Sequence, residues 1–106
     1  MATPESALVE GCLVVLHKVG ALVWRQNQGA VKIGKRLVRF TRGVKGISDV
    51  IGLFSDGQFC AVECKRRPNK LTANQLAFIA DVRKHGGFAI CVYSVDELTE
   101  ALARRL

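Results

Sequence analysis

Gly46-Ile47-Ser48-Asp49-Val50-Ile51-Gly52-Leu53-Phe54-Ser55-Asp56-Gly57-Gln58-Phe59-Cys60-Ala61-Val62-Glu63-Cys64-Lys65 is the stretch on which the reading of this chain turns. Asp49 to Phe54 reads as a strand, Asp56-Gly57 is a strong hairpin signal, and Phe59 to Lys65 reads as the partner strand. Strand side chains alternate, so Phe59, Ala61, Glu63 and Lys65 share one face while Cys60, Val62 and Cys64 share the other. An acidic residue therefore opens the first strand and a Glu-x-Lys closes the second. The hairpin brings all three charged groups to one end of a small sheet. A charged pair on an otherwise apolar strand needs a reason, because burying either group uncompensated is costly.

Outward from this hairpin, apolar residues before it recur at helical spacing. Leu8, Val9, Cys12, Val15, Leu16 and Val19 mark the inward face of a helix from Glu5 to Val19, opened by Thr3 or Pro4 and ended at Gly20. Glu5 falls on that stripe one turn before Leu8 and Val9, either as a first-turn acid favoured at a helix N-terminus or as a group aimed into a site. Glu10 lies off the stripe. Ala21 to Arg25 reads as a short strand, and Val31 to Phe40 as a basic hairpin or extended arm around Gly34. The loop Thr41 to Gly46 carries two glycines whose backbone has room to approach a phosphate, or which simply make a turn.

After the hairpin comes a basic loop, Arg66 to Lys70. Thr72-Ala73-Asn74-Gln75 fits a capping box and starts a helix through Leu76, Ile79, Ala80 and Arg83 to Gly86-Gly87. Phe88 to Tyr93 is a continuous apolar run, as expected of a strand covered on both faces. Ser94-Val95-Asp96-Glu97 repeats the capping pattern before a last helix, Val95 to Leu106. The order predicts an α/β protein with a mixed central sheet flanked by helices.

The 106 residues fit one domain, 1–106, and 49% of them are apolar, which argues for a folded chain with one core. The net charge is +7 and unevenly placed. No acidic residue lies between Glu10 and Asp49, whereas Lys18, Arg25, Lys32, Lys35, Arg36, Arg39, Arg42 and Lys45 all fall there. Such a block usually marks a surface that meets polyanions, most often nucleic acid, although a solvated basic face would look the same. Cys12, Cys60, Cys64 and Cys91 sit in apolar runs without C-x-x-C spacing, so they read as small buried hydrophobes in a reducing compartment rather than a zinc site or disulfide framework. No basic flank and apolar core open the sequence, and no apolar run reaches the roughly 20 residues that span a bilayer. A cytoplasmic, membrane-free setting is expected.

If Asp49, Glu63 and Glu5 converge, their carboxylates repel one another unless a hard divalent cation lies among them. Mg²⁺ is commonly held by one or two carboxylates together with water and phosphate oxygens. Such an ion polarises a phosphodiester and lowers the pKa of a bound water. Lys65 would orient that water or neutralise charge building on the phosphate, and the carbonyl of Cys64 would be a further ligand. Each part alone has a plainer reading. An Asp near a turn is usually a cap, a strand Glu-x-Lys is often an exposed ion pair worth under about 1 kcal/mol, and Gln75 is locally a capping residue. His17 and His85 read as surface or packing residues. The joint pattern is what points to a metal-dependent phosphodiesterase.

The same residues resemble a known family. Asp49 followed by Glu63-Cys64-Lys65 after a hairpin is similar to the PD-(D/E)xK nuclease signature. Gly46-x-x-Asp49, Asp56-Gly57, Glu63-x-Lys65-Arg66, Leu71-Thr72-x-x-Gln75, Gly86-Gly87 and Ser94-Val95-Asp96-Glu97-Leu98 resemble its VRR-NUC group in order and spacing. Glu5, Gly20 and Trp24 to Gly29 extend the likeness over nearly the whole chain. The short E-x-K string is weak, but the chain of motifs is fairly specific.

The resemblance implies a restriction-endonuclease-like fold and Mg²⁺- or Mn²⁺-dependent cleavage of DNA. Stand-alone members of this size resemble Holliday-junction resolvases, often homodimers encoded by phages or bacteria. By position it makes Asp49 and Glu63 metal ligands, Lys65 the catalytic lysine, Glu5 the helix acid and Gln75 a glutamine near the site. Ser48 stands where the family commonly has proline. Related resolvases place the helix acid nearer Glu10, whereas the apolar stripe and the spacing to Gly20 favour Glu5.

The leading expectation is thus a structure-selective DNA endonuclease. Arg25, Lys32, Lys35, Arg36, Arg39, Arg42 and Lys45, with Arg66, Arg67 and Lys70, would grip the phosphate backbone in a salt-dependent, largely sequence-independent way. A non-enzymatic DNA-binding module on the same fold is the rival from another class. A nuclease of broader DNA or RNA specificity would share the site.

Overall fold

The structure, a computed structural model, describes residues 4–26, 30–39 and 44–105, and for 30–32 and 37–39 the main chain alone. Helix α1 spans Pro4–Lys18, with Glu5 in its first turn and His17 and Lys18 in its last, the charge order that the helix dipole favours. Its buried residues are Val9, Cys12 and Leu16, with Leu8, Leu13 and Val15 packed beside them. Val19, expected on the inward face, is 51% exposed, because the helix ends one residue earlier and the chain turns away at Gly20.

Strand β1 (Leu22–Arg25) follows, then β2 (Ala30–Ile33) and β3 (Arg36–Arg39), which pair antiparallel as a sheet of their own. Of the two readings of this segment, hairpin or arm, the chain forms the hairpin. Next come β4 (Val50–Leu53), β5 (Phe59–Cys64), α2 (Ala73–Lys84), β6 (Phe88–Val92) and α3 (Val95–Arg105). The main sheet has the order β1-β4-β5-β6, antiparallel except for the parallel pair β5 and β6. It is the mixed, helix-flanked α/β sheet expected.

The two faces of the sheet bury different sets. Val9, Cys12 and Leu16 of α1 and Leu98 of α3 meet Val23, Val50, Cys60, Val62, Cys64 and Val92 on one face. Ile79 and Val82 of α2 meet Ile51, Ala61 and Ala89 on the other. Every residue of β5 from Cys60 to Cys64 is therefore buried, which explains its nearly unbroken apolar sequence. Helix α2 begins with the expected capping box, Thr72 Oγ1 accepting from the Gln75 N–H and Gln75 Oε1 accepting from the Thr72 N–H. The second capping pattern differs in its return bond. Ser94 Oγ accepts from the Glu97 N–H, but the Glu97 carboxylate reaches back to the N–H of Tyr93.

Helix α2 leaves part of its face bare. The register aligns Leu22, Leu53 and Phe59 across β1, β4 and β5, and all three are exposed, as is Trp24 on the same face.

Two long-range ties hold the hairpin in place. At its tip, Gly57 adopts φ +89° and its N–H closes on the Phe54 carbonyl. There Arg105 of α3 lies 3.6 Å over the Phe54 ring and donates to both oxygens of Asp56 and to Gln58 Oε1. At its base, Gly46 adopts φ +75° and packs on the start of α2, where a Cβ would run into the Asn74 carbonyl and the Gln75 N–H. The Gly46 backbone packs on the helix start, and Gly43 lies outside the described residues.

Gly46→Ala should therefore lower stability by about 1–3 kcal/mol from backbone conformation alone, and by more from the clash, read as a lower urea midpoint. An unchanged midpoint would mean that this loop does not pack on α2.

Candidate active site

The ladder between β4 and β5 pairs Val50 with Val62, and its next step sets Asp49 opposite Glu63. Side chains facing each other across antiparallel strands have Cβ atoms only about 4.5–5.5 Å apart, and like charges there are destabilising. Asp49 is fixed from both neighbours. Its carbonyl accepts from the Gln26 N–H at the end of β1 (2.6 Å), and its Oδ2 accepts from the Cys64 N–H (2.9 Å).

Glu63 is 3% exposed. Burial pushes its pKa up to about 9, reinforced by a hydrogen bond with the Asp49 carboxyl and by the charges of Asp49 and Glu5, while Lys65 opposes the shift. Without a compensating cation, the two carboxyls thus hold a proton between them at neutral pH. Gln75 completes the setting. Its side-chain oxygen caps α2 while its Nε2 donates to Glu63 Oε2 at 3.4 Å.

Lys65 follows β5 directly, and its N–H bonds the Val92 carbonyl of β6 at 3.0 Å. Glu5, half-buried in the first turn of α1, lies near enough for its charge to act on Glu63, whereas Glu10 is exposed further along the helix. Next to Glu5, Ser6 Oγ accepts from Arg25 Nη1 at 3.1 Å, which places Arg25 at the rim. Asp49, Glu63, Lys65, Gln75 and Glu5 are therefore gathered at one end of the sheet.

The basic residues bracket that end by connectivity. The β2–β3 hairpin is inserted between Gln26 and Val44, leaving the sheet beside Asp49, and exposes Lys35 and Arg36 at its tip. Lys45, Arg66 and Lys70 are exposed, and Arg67 is engaged with Tyr93 and Glu97. Arg42 lies outside the described residues, as do the side chains of Lys32 and Arg39.

One feature had no sequence signal. Ser48 is fully buried and its Oγ has no hydrogen-bond partner. A buried hydroxyl left unpaired costs about 1–3 kcal/mol, and it lies directly before Asp49. Of the cysteines, Cys12, Cys60 and Cys64 are the small buried hydrophobes expected, and Cys91 is half-buried. The Cys64 thiol lies 3.9 Å from that of Cys12.

The donor set fits a hard divalent cation. It offers two carboxylates side by side with carbonyl oxygen at the strand end, and a cation would relieve the unfavourable ionisation of Glu63. Among the described residues, no three His, Cys, Asp or Glu side chains form a group able to hold an ion. A hard divalent cation there would take Asp49 and Glu63 as its side-chain ligands, while Glu5 bears on Glu63 through its charge.

The family model described as the VRR-NUC domain matches residues 16–96. A solved structure described as a VRR_NUC domain superposes with a TM-score of 0.65 at 24% identity, covering 93% of this chain and 97% of its own, and so shares the fold. No curated protein matches the chain.

The raised pKa of Glu63 sets a pH dependence. The unfolded chain ionises Glu63 from about pH 4.5 upward, whereas the folded chain does so only near pH 9, so metal-free stability falls across that window. Glu63→Gln, which does not titrate, should stabilise the chelator-treated protein by about 1–3 kcal/mol at pH 7 and by almost nothing at pH 4. Equal stabilities at pH 7 in denaturant titrations would contradict this account of the pair.

Proposed function

The chain belongs to the VRR-NUC domain family of nucleases, and from that premise we propose that it is a metal-dependent, structure-selective DNA endonuclease that cuts branched DNA such as Holliday junctions. The observation that carries the reading is the carboxyl pair formed by buried Glu63 and half-buried Asp49. It is a destabilising arrangement without a counter-charge and a suitable one around a cation.

Asp49, Glu63 and the carbonyl of Cys64 would hold Mg²⁺ or Mn²⁺, with Glu5 adding negative charge behind them. The bound ion would polarise a phosphodiester and lower the pKa of a water. Lys65 supplies a positive charge and N–H donors for the phosphate as negative charge builds on it. Gln75 is a positioning residue that fixes the Glu63 carboxylate against α2. Hydrolysis adds water across one P–O bond, leaving a phosphate monoester and a hydroxyl.

Arg25, Lys35, Arg36, Lys45, Arg66 and Lys70, together with Lys32, Arg39 and Arg42 on or next to the hairpin, would grip the phosphate backbone. The bare row of Leu22, Leu53 and Phe59 running in from the edge strand β1 supports a homodimer, in which two active sites would make paired cuts across a branch. The four free thiols suit a reducing cytoplasm. No helix among the described residues is long and apolar enough to cross a membrane.

A labelled four-way junction beside a linear duplex of the same sequence tests the activity. Cutting of the junction with Mg²⁺ or Mn²⁺, stopped by chelator, is the expected outcome. Glu63→Ala and Lys65→Ala should each reduce it by about 10²-fold or more while metal-free DNA binding is kept. DNA bound but never cut, with either metal, would make the chain a binding module. RNA cut equally well would make it a broader nuclease.

The dimer is tested separately. Leu22 is 66% exposed, so Leu22→Glu should fold normally and shift the sedimentation coefficient from dimer to monomer. A wild-type chain that sediments as a monomer at micromolar concentration would refute the dimer.

A further inference from the structure

Beyond the carboxyl pair, a second feature occupies the same end of the sheet. Arg67, Pro68, Asn69, Lys70 and Tyr93 line a cavity of about 310 Å³, within the size range of small-ligand pockets. The loop is a built turn. The Asn69 N–H bonds the Arg66 carbonyl at 2.9 Å, and the Tyr93 hydroxyl donates to the Asn69 carbonyl at 2.9 Å.

Arg67 is held over the Tyr93 ring in this setting. Its guanidinium lies 4.4 Å over the Tyr93 ring, and its Nη2 is 3.8 Å from Glu97, yet its side chain is 74% exposed. One side of the cation is thus committed to the ring, and the side chain is largely open to solvent. A guanidinium laid on an aromatic ring and open outward is a planar surface on which a base can stack. Double-helical DNA keeps its base faces stacked on one another and offers none of them to such a surface, so the ligand that stacks on the plane is an unpaired base.

The position relates this surface to the chemistry. The parallel ladder pairs Cys64 with Val92, and its next step sets Lys65 beside Tyr93, at a strand spacing of about 4.8 Å. A base on this platform would therefore belong to the strand being cut, close to the scissile phosphate. Lys70, exposed and lining the same cavity, would take a neighbouring phosphate.

We propose that Arg67, stacked on Tyr93 and braced by Glu97, is a platform for an unpaired DNA base next to the cut, so that the enzyme reads strand separation at a branch point directly. The inference rests on the nuclease reading above and adds a selectivity element to it. Arg67 is then a base-stacking residue and not one more phosphate contact.

The test is the ratio of affinities for a single-stranded and a duplex oligonucleotide, measured by fluorescence anisotropy in chelator. Arg67→Lys keeps the charge and loses the plane. It should lower the single-strand to duplex ratio by about tenfold, in line with the loss of stacking by one base. Tyr93→Leu should lower it similarly, and Tyr93→Phe, which keeps the ring, should leave it near the wild-type value. In a second measurement, single strands carrying 5-iodouracil are photo-crosslinked, and the expected adduct maps to the peptide containing Arg67 or Tyr93. An unchanged ratio in Arg67→Lys, or an adduct elsewhere, would overturn the platform and leave the nuclease reading intact. A wild type that binds neither oligonucleotide would overturn both.

Discussion

Two carboxyl groups face each other across β4 and β5, and most of the local structure serves to keep them there. Asp49 is bonded to β1 through its carbonyl and to β5 through its side chain. Glu63 is buried beneath α2 and bonded by Gln75, whose other end caps that helix. Gly46 presses the preceding loop against the same helix start. Left to themselves, two such groups would move apart or stay protonated. The surrounding bonds deny the first option, so the pair keeps its place at the expense of stability. A fold that retains such a conflict in its best-packed region has the character of a functional site.

The rest of the architecture can be understood as support for that conflict. Strand β5 is covered on both faces from Cys60 to Cys64, which is what buries Glu63. The Arg105 clamp on Phe54, Asp56 and Gln58 secures the opposite end of the hairpin, so the strands have no freedom to slip in register. A one-residue slip would turn Glu63 to the other face of the sheet and separate it from Asp49.

Much of this was legible in the sequence because it is local. The hairpin follows from Asp56-Gly57 between apolar runs, α2 from Thr72 and Gln75, and the buried β6 from its unbroken apolar sequence. The gathering of Asp49, Glu63 and Lys65 follows from strand alternation and one turn. What escaped depends on contacts between distant positions. Nothing near Arg105 in sequence reveals that it binds residues at the hairpin tip. The burial of Ser48, the packing of Gly46 on Asn74 and the stacking of Arg67 on Tyr93 are equally products of the assembled sheet. Glu5 and Glu10 lie on one helix at different angles, and only the packing of α1 on the sheet brings the charge of Glu5 to bear on Glu63. Gln75 was visible as a cap, since its second bond requires the helix to be docked.

In the proposed function Asp49 and Glu63 act as one unit around a cation. Manganese titration followed by calorimetry in the absence of DNA, on the wild type, Asp49→Asn and Glu63→Gln, tests it most directly. The wild type should bind saturably, with release of protons as Glu63 ionises, and both variants should lose that binding. Manganese bound as tightly by both variants as by the wild type would place the ion elsewhere and contradict the account.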